Sequence, residues 1–177
     1  MWLTPKVVTP PTVEPVSLPE AKRHARAADF NDDDDYLEDL IAAGRNHAEG
    51  YCGAFFSPCD VEVSATDWCD FNHVPTVPLG DVTSIEYVDT TGAVQTVSAD
   101  VYERRDNAIV TKYGKQWPPI QIGSLIKLTA TVGFEDCPSA VKHAMLLWIA
   151  GAYEKRESAA LDNWTTMDAL LCNHRYY

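Results

Sequence analysis

The spacing of apolar residues predicts two helices in the first third of the chain. Ser17, Pro19 and Glu20 form a capping-box start, so we expect a first helix from residue 17 to about residue 28. A second helix is expected over residues 33–51, with Gly53 as its C-terminal stop, so that residues 17–53 form one helical segment. The apolar positions of the second helix recur at i, i+3, i+4, i+7, i+11 and i+14, namely Leu37, Leu40, Ile41, Gly44, Ala48 and Tyr51.

A third predicted helix, over residues 138–157, is apolar on nearly every side at its middle. Its wide apolar stripe consists of Val141, Ala144, Met145, Trp148, Ile149 and Ala152, and is widened by Leu146 and Leu147. Helices of this kind are buried on more than one side, and one of those sides can belong to a neighbouring subunit. A short last helix is expected over residues 166–174, within a C-terminal helix and tail of residues 165–177.

The pattern changes to that of strands over residues 55–133. Two hairpins are expected: residues 82–88 and 94–97 flank a loop with Gly92 at a position of positive φ, and residues 101–105 and 108–112 flank Asp106 and Asn107. Residues 126–132 alternate between apolar and polar, as a half-buried strand does. The block therefore predicts a small antiparallel sheet.

Residues 1–16 predict an extended arm, because they contain four prolines and neither a helical nor an alternating period. Large aromatic side chains lie in this arm and in the loop before the last helix, where burial would need a partner. We therefore expect these segments to contact a neighbouring subunit. The predicted subunit-interface residues are Trp2, Leu3, Val7, Val8 and Trp164.

Composition narrows the classes of function. The chain has 14 Lys and Arg against 26 Asp and Glu, a formal net charge of -12 at pH 7. Without a basic run, tight sequence-independent binding of nucleic acid is not expected, although an acidic wall suits a passage through which DNA slides. The five cysteines contain no C-x-x-C pair, so they predict neither a disulfide framework nor a zinc ribbon, and we have no account of them. No apolar run is long enough to span a bilayer, so no membrane role is expected.

The acidic stretch of residues 29–35 does not begin a calcium-binding loop of the EF-hand type. The sixth position holds Asp34 where glycine is needed, and the twelfth holds Leu40 where a bidentate glutamate is needed. We interpret these aspartates as stabilising the positive end of the second helix. Neither the five histidines nor any serine lies in a metal-binding or nucleophile motif, so no catalytic, cofactor or metal residue is predicted.

Short motifs spread over nearly the whole chain form a recognisable series. They are Thr9–Pro11, Glu14–Lys22, Leu37–Ala43, Pro78–Leu79, Val82–Tyr87, Tyr113–Gly114 with Trp117–Pro118, Val132–Phe134, Pro138–Ala144, Tyr153–Glu157, Leu170–Leu171 and Arg175–Tyr177. This series resembles the head–tail connector (adaptor) proteins of tailed bacteriophages and gene transfer agents. The departures from the family are the five cysteines and the absence of a proline near Asn173.

The resemblance implies a structural virion protein with no enzymatic activity. Such a connector assembles in the host cytoplasm into a ring of roughly twelve copies beneath the portal, joins the DNA-filled head to the tail and lines the DNA channel. Its partners would be other copies, the portal protein, a tail-side stopper or tail-completion protein and, without specific binding, the packaged DNA. The expected fold is a single α+β domain over residues 1–177, mainly helical, in which a helical bundle carries a small antiparallel β-sheet insertion.

The resemblance also implies that the C-terminal segment grips the portal. We expect this contact because arginine and aromatic side chains follow an apolar helix edge, a combination enriched at binding hot spots. The alternative is that the last helix closes the subunit's own core. The predicted portal-binding residues are Met167, Leu170, Leu171, Arg175, Tyr176 and Tyr177.

Three other functions remain open at the level of sequence. The chain could be a stopper or tail-completion protein of the same particle. It could be a metal-dependent hydrolase that uses residues 32–35, or a regulatory binding module that is monomeric or dimeric in solution.

Overall fold

The computed structural model describes residues 1–28, 30–155 and 166–176. These residues form two compact units. Residues 1–12 and 58–133 make the first, here called the β unit, and the remaining described residues make the second, the helical unit. The expectation that residues 1–177 behave as one domain stays a prediction.

The β unit contains seven strands in the described part of the chain. They are β1 (Lys6–Thr9), β2 (Cys59–Ala65), β3 (Leu79–Val88), β4 (Val94–Thr96), β5 (Tyr102–Arg105), β6 (Ala108–Thr111) and β7 (Ile126–Val132). Five of them form an antiparallel sheet in the order β1-β2-β7-β3-β4, and β5 and β6 form a separate two-stranded sheet. A short 3-10 helix, Trp68–Asn72, follows β2.

The centre of the sheet is the pair β2 and β7. Both strands alternate strictly between buried and half-buried side chains, because successive residues of a strand point to opposite faces. Their register runs from Cys59 opposite Val132 to Ala65 opposite Ile126. The predicted alternation over residues 126–132 is therefore confirmed.

Both predicted hairpins are confirmed. In the turn between β3 and β4, Gly92 has a φ of 88°, the left-handed conformation that favours glycine. Between β5 and β6, Asp106 takes a φ of 53°, which aspartate tolerates better than most residues. The Asp89 carboxylate organises the first turn, since it accepts hydrogen bonds from the backbone N–H groups of Thr91 and Ala93 at 2.8 and 3.1 Å.

The first hairpin is expected to loosen in acid. Hydrogen bonds from Thr91 and Ala93 to the Asp89 carboxylate lower its pKa from 3.8 to about 2. Because the folded-state pKa is lowered, the stabilisation is complete above pH 3.8 and is lost as the pH falls through about 2. The protection factors of the Thr91 and Ala93 amides against hydrogen exchange should therefore fall in that range. In an Asp89→Ala variant these protection factors should be low at every pH; equal protection factors in the two proteins would contradict the assignment.

The helical unit contains four α-helices in its described residues, α1 (Leu18–His24), α2 (Asp34–Cys52), α3 (Ser139–Lys155) and α4 (Thr166–Leu171). The predicted capping box starts α1, where the Glu20 carboxylate accepts from both the backbone N–H and the hydroxyl of Ser17, at 2.9 and 2.6 Å. This helix ends at His24, earlier than predicted, because Arg26 adopts a left-handed φ of 57°.

The start of α2 is tied to α1 through Lys22. The Lys22 ammonium is largely buried and donates to the carboxylate of Asp34 at 2.7 Å and to the side-chain oxygen of Asn31 at 2.6 Å. The Asp33 carboxylate accepts from the Tyr153 hydroxyl at 2.8 Å, so it also links α2 to α3. Two of the aspartates that we assigned to the helix dipole therefore have specific partners.

Replacing Asp34 by asparagine should lower the free energy of unfolding by about 1–2 kcal/mol, because the buried Lys22 loses its ionised partner. Asp35 is exposed in the same helical turn, so Asp35→Asn should cost only a few tenths of a kcal/mol through the helix dipole. Urea unfolding of both variants measures the difference. Equal losses would show that the ion pair adds nothing to the dipole effect.

The inner face of α3 is closely packed. Val141, Ala144, Met145 and Ile149 are buried, whereas Leu146, Leu147 and Trp148 are half-buried. A side chain at Gly44 of α2 would lie 3.2 Å from the Trp148 ring, so this glycine allows the two helices to approach closely. Helix α3 therefore retains partly exposed apolar side chains on its outer face.

The prediction of a mainly helical bundle with a small β-sheet insertion is wrong. Helices make up 35% and strands 24% of the described residues, and the strands build a five-stranded sheet. The sequence pattern placed strands within residues 55–133, but it predicted residues 1–16 as an arm. It did not show that residues 58–133 recruit β1 from that arm and bury a core of their own. No helix among the described residues is long and apolar enough to cross a membrane.

Candidate interaction surfaces

The N-terminal arm packs as a strand of its own β unit. Strand β1 pairs with β2, and the Leu3 backbone N–H donates to the Ser64 carbonyl at 2.8 Å. The Trp2 indole N–H lies within hydrogen-bonding distance of the carbonyls of Asp70 and His73, at 3.0 and 2.7 Å. The hydrogen-bond partners of the Trp2 indole are therefore present within the chain.

Trp2 belongs to an aromatic cluster. Its ring centroid lies 5.0 Å from that of the fully buried Phe71, and Trp68 and Trp117 stack in parallel at 4.5 Å. The Trp68 indole N–H also donates to the Pro118 carbonyl at 2.9 Å. This cluster holds the arm, the 3-10 helix and the connection between β6 and β7 together.

The other predicted interface residues of the arm are open to solvent. Leu3, Val7 and Val8 are exposed by 42%, 45% and 55%. Trp164 lies outside the described residues. The interface assignment for all five residues stays a prediction, and the arm now offers three exposed apolar side chains for it.

The predicted portal-binding set divides into buried and exposed members. Met167 and Leu171 are buried in the helical unit, and Leu170 is half-buried, so α4 does close the core of this unit. Arg175 and Tyr176 are exposed. Tyr177 lies outside the described residues. Among the described members of the set, Leu170, Arg175 and Tyr176 are therefore the ones open to a partner.

The exposed tail is held against the end of α2. The Tyr176 backbone N–H donates to the Cys52 carbonyl at 2.7 Å, which satisfies one of the open carbonyls of the last helical turn. Gly53 follows with a φ of 66°, and a side chain there would lie 3.0 Å from the Tyr176 carbonyl oxygen. The Arg175 guanidinium lies 5.1 Å from the centre of the Tyr51 ring, a cation–π geometry. The tail is thus positioned by the fold.

The described residues contain buried thiols at Cys52, Cys59 and Cys137 and exposed thiols at Cys69 and Cys172. They contain no group of three or more His, Cys, Asp or Glu side chains that could hold a metal ion. Burial raises the pKa of the Cys52 and Cys137 thiols to about 11, so both remain protonated and unreactive at neutral pH.

Sequence reasoning missed two exposed residues in the connection between β6 and β7. Tyr113 and Ile122 are fully exposed, and each precedes a glycine of positive φ, Gly114 or Gly123. A bulky residue directly before glycine is the signal that could have identified them, since glycine of positive φ marks a turn and turns run over the protein surface.

Comparison with solved structures identifies the fold. The chain is similar to a chain of the neck of an empty GTA particle computed with C6 symmetry, and to one of the virion of a native gene transfer agent (GTA) particle, each with a TM-score of 0.80. A chain of the neck of a native GTA particle computed with C12 symmetry matches with a TM-score of 0.70. Each match has 22% sequence identity and covers 99% of this chain and 96% of the other. No family model and no curated protein matches the sequence.

Proposed function

We propose that this chain is a structural virion protein of the neck, a head–tail connector that forms an oligomeric ring beneath the portal. The observation that carries the proposal is the fold similarity, over 99% of the chain, to chains of GTA neck and virion structures. Two of the similar structures are necks, one computed with C6 symmetry and the other with C12 symmetry, which supports a ring as the assembled form.

The surfaces of the subunit fit a structural role. Exposed apolar side chains lie on the arm and on the turns of the β6–β7 connection, where contact with a neighbouring copy would bury them. The thiols of Cys52 and Cys137 are buried, and the described residues form no metal-binding cluster. A role without catalysis is part of the proposal, and it rests on the similarity to chains of the neck and the virion.

Two further features support the adaptor position within the neck. The net charge of -12 suits a channel wall that DNA passes without binding. The tail presents Arg175 and Tyr176 beside Tyr51 on one side of the helical unit, and arginine and tyrosine are enriched at binding hot spots. We assign the portal contact to this cluster, together with Leu170.

Deleting residues 175–177 should abolish most of the retention of the chain on purified portal rings. The deletion removes the exposed cluster together with the hydrogen bond to Cys52 and the contact with Tyr51, so the free energy of unfolding should fall by only about 1–2 kcal/mol. Retention is measured by co-sedimentation at a temperature at which both proteins are folded.

A matched control is Tyr176→Phe, which keeps the ring and the backbone hydrogen bond and should be retained like the wild type. If the deleted chain is still retained, the tail is not the portal contact. If even the full chain does not bind portal but binds a tail-side protein, the stopper position replaces the adaptor position.

A further inference from the structure

A tight turn of the β unit presents the bulky side chain of Tyr113 directly to solvent. The turn Lys112–Lys115 is closed by a hydrogen bond from the Lys115 N–H to the Lys112 carbonyl at 3.0 Å, and Gly114 has a φ of 74°. Tyr113 lies at its tip and is fully exposed. A hydrogen bond fixes the Lys112 side chain, since its ammonium donates to the Ala99 carbonyl at 2.9 Å. The turn is therefore a supported projection with an aromatic tip.

The charge of this region is opposite to that of the chain as a whole. Residues 107–134 include three lysines, Lys112, Lys115 and Lys127, and no acidic residue. By contrast, residues 32–39 at the start of α2 include six acidic residues and no basic one. One copy of the chain therefore carries a basic projection and an acidic helix start, which attract each other between copies.

A small pocket lies beside that acidic helix start. It has a volume of about 270 Å³ and is lined by Glu14, Val16, Leu18, Glu38 and Ile41. Val16 and Ile41 are buried and form apolar walls, whereas Glu38 is exposed. The Arg45 guanidinium engages the Glu14 carboxylate at 2.8 Å, so Glu38 is the carboxylate that faces an incoming cation. The volume is below the roughly 300–1,000 Å³ of small-molecule sites and suits a single side chain.

We propose that Tyr113 of one copy inserts into this pocket of the next copy, with Lys115 placed against Glu38. The apolar ring packs against the half-buried Leu18, above a floor formed by the buried Val16 and Ile41. The hydroxyl stays near the polar rim, and the lysine reduces the acidic charge at the rim. Because projection and pocket are different surfaces, the contact is head-to-tail, and repetition of such a contact generates a ring when the rotation between copies closes. This inference rests on the proposed ring and names the contact that builds it.

The direct test places the photo-crosslinking residue p-benzoylphenylalanine at position 113 of the full chain. Irradiation at the highest soluble concentration should give covalent dimers, and peptide mapping should locate the cross-link at residues 14–18 or 38–41 of a second copy. The same label at Val94, another exposed position of the β unit, is the control and should not reach those peptides. No dimer, or dimers linked elsewhere, would overturn the proposal.

A charge-exchange series provides a second readout. Lys115→Glu and Glu38→Lys should each reduce the yield of this dimer severalfold, and the double variant should restore it, because the pair is then reversed. Lys6→Glu makes the same change in net charge at an exposed position of β1 and should leave the yield unchanged. Failure of the double variant to recover would contradict the pairing of Lys115 with Glu38.

The result also separates this contact from the proposed function. Rings found in particles while the position-113 label links to residues outside the pocket would leave the connector role intact and reject the contact. A dimer linked through the pocket in a chain that is absent from particles would support the contact and reject the connector role.

Discussion

Replacing Trp2 by alanine is expected to lower the free energy of unfolding by about 3 kcal/mol. The indole loses its contact with Phe71 at 5.0 Å, and the carbonyls of Asp70 and His73 lose a donor. Residues 1–12 of the arm belong to the β unit, so the loss should appear in the isolated subunit. Denaturant unfolding followed by far-ultraviolet circular dichroism measures it.

The neighbouring residue provides the control. Leu3 is exposed by 42% and contributes its backbone N–H to the pairing, so Leu3→Ala should cost less than about 1 kcal/mol. If Trp2 instead served only as an anchor between subunits, Trp2→Ala would leave the isolated subunit as stable as Leu3→Ala does. That outcome would contradict the packing of the arm.

The second large effect is expected at Arg45, which joins α2 to the segment before α1. Its guanidinium donates to Glu14 at 2.8 Å and to Glu49 at 3.3 Å. Glu49 in turn accepts from the Phe56 backbone N–H at 2.8 Å. Removing the cation leaves a largely buried carboxylate without its partner, so Arg45→Ala should cost about 3 kcal/mol at neutral pH.

The pH dependence of this loss identifies its cause. Burial raises the pKa of Glu49 above 4.5 even with Arg45 present, and loss of the cation raises the pKa further. A raised pKa in the folded state means that the ionised form opposes folding above that pKa, and that the opposition disappears as the pH falls to 4.5. The cost of Arg45→Ala should therefore shrink between pH 7 and pH 4.5.

A second substitution checks the assignment. Adding Glu49→Gln to Arg45→Ala removes the buried charge and retains an acceptor for Phe56, so the double variant should be more stable than Arg45→Ala alone at pH 7. A cost that is independent of pH, or a double variant that is less stable, would show that Glu49 is not the source.

The elements were predictable where periodicity and local turn chemistry agree. Residues 33–53 show a helical apolar period ended by glycine, and α2 begins and ends within one residue of the prediction. The hairpin at Gly92 and the alternating strand Ile126–Val132 were predictable for the same reason. In these segments local preference and burial favour the same structure.

The pairing of the arm was not predictable, because it depends on contacts far apart in the chain. Lys6–Thr9 are all exposed and lie among prolines, so no alternation indicates a strand, and only pairing with β2 defines one. Trp2 meets Phe71, a residue whose proximity no local pattern reveals. The predicted fold class was therefore too helical. Without β1, the strands of residues 58–133 indicate only a small sheet inserted into a helical bundle.

The candidate surfaces were predictable only in part. The apolar period of α4 fits a core position and an interface equally well, and the structure places Met167 and Leu171 in the core. The projection at Tyr113 and the pocket beside Glu38 depend on turn geometry and on packing between residues 14–18 and α2. Neither follows from hydrophobic patterning alone.

The most direct test of the central claim is a cryo-electron microscopy reconstruction of the neck of purified particles that carry this chain. The account predicts that the β unit and the helical unit both fit density in a closed ring of copies directly beneath the portal, with the tail residues Arg175 and Tyr176 against the portal. Density directly beneath the portal that fits another protein, with this chain at a different position in the same particles, would contradict the account.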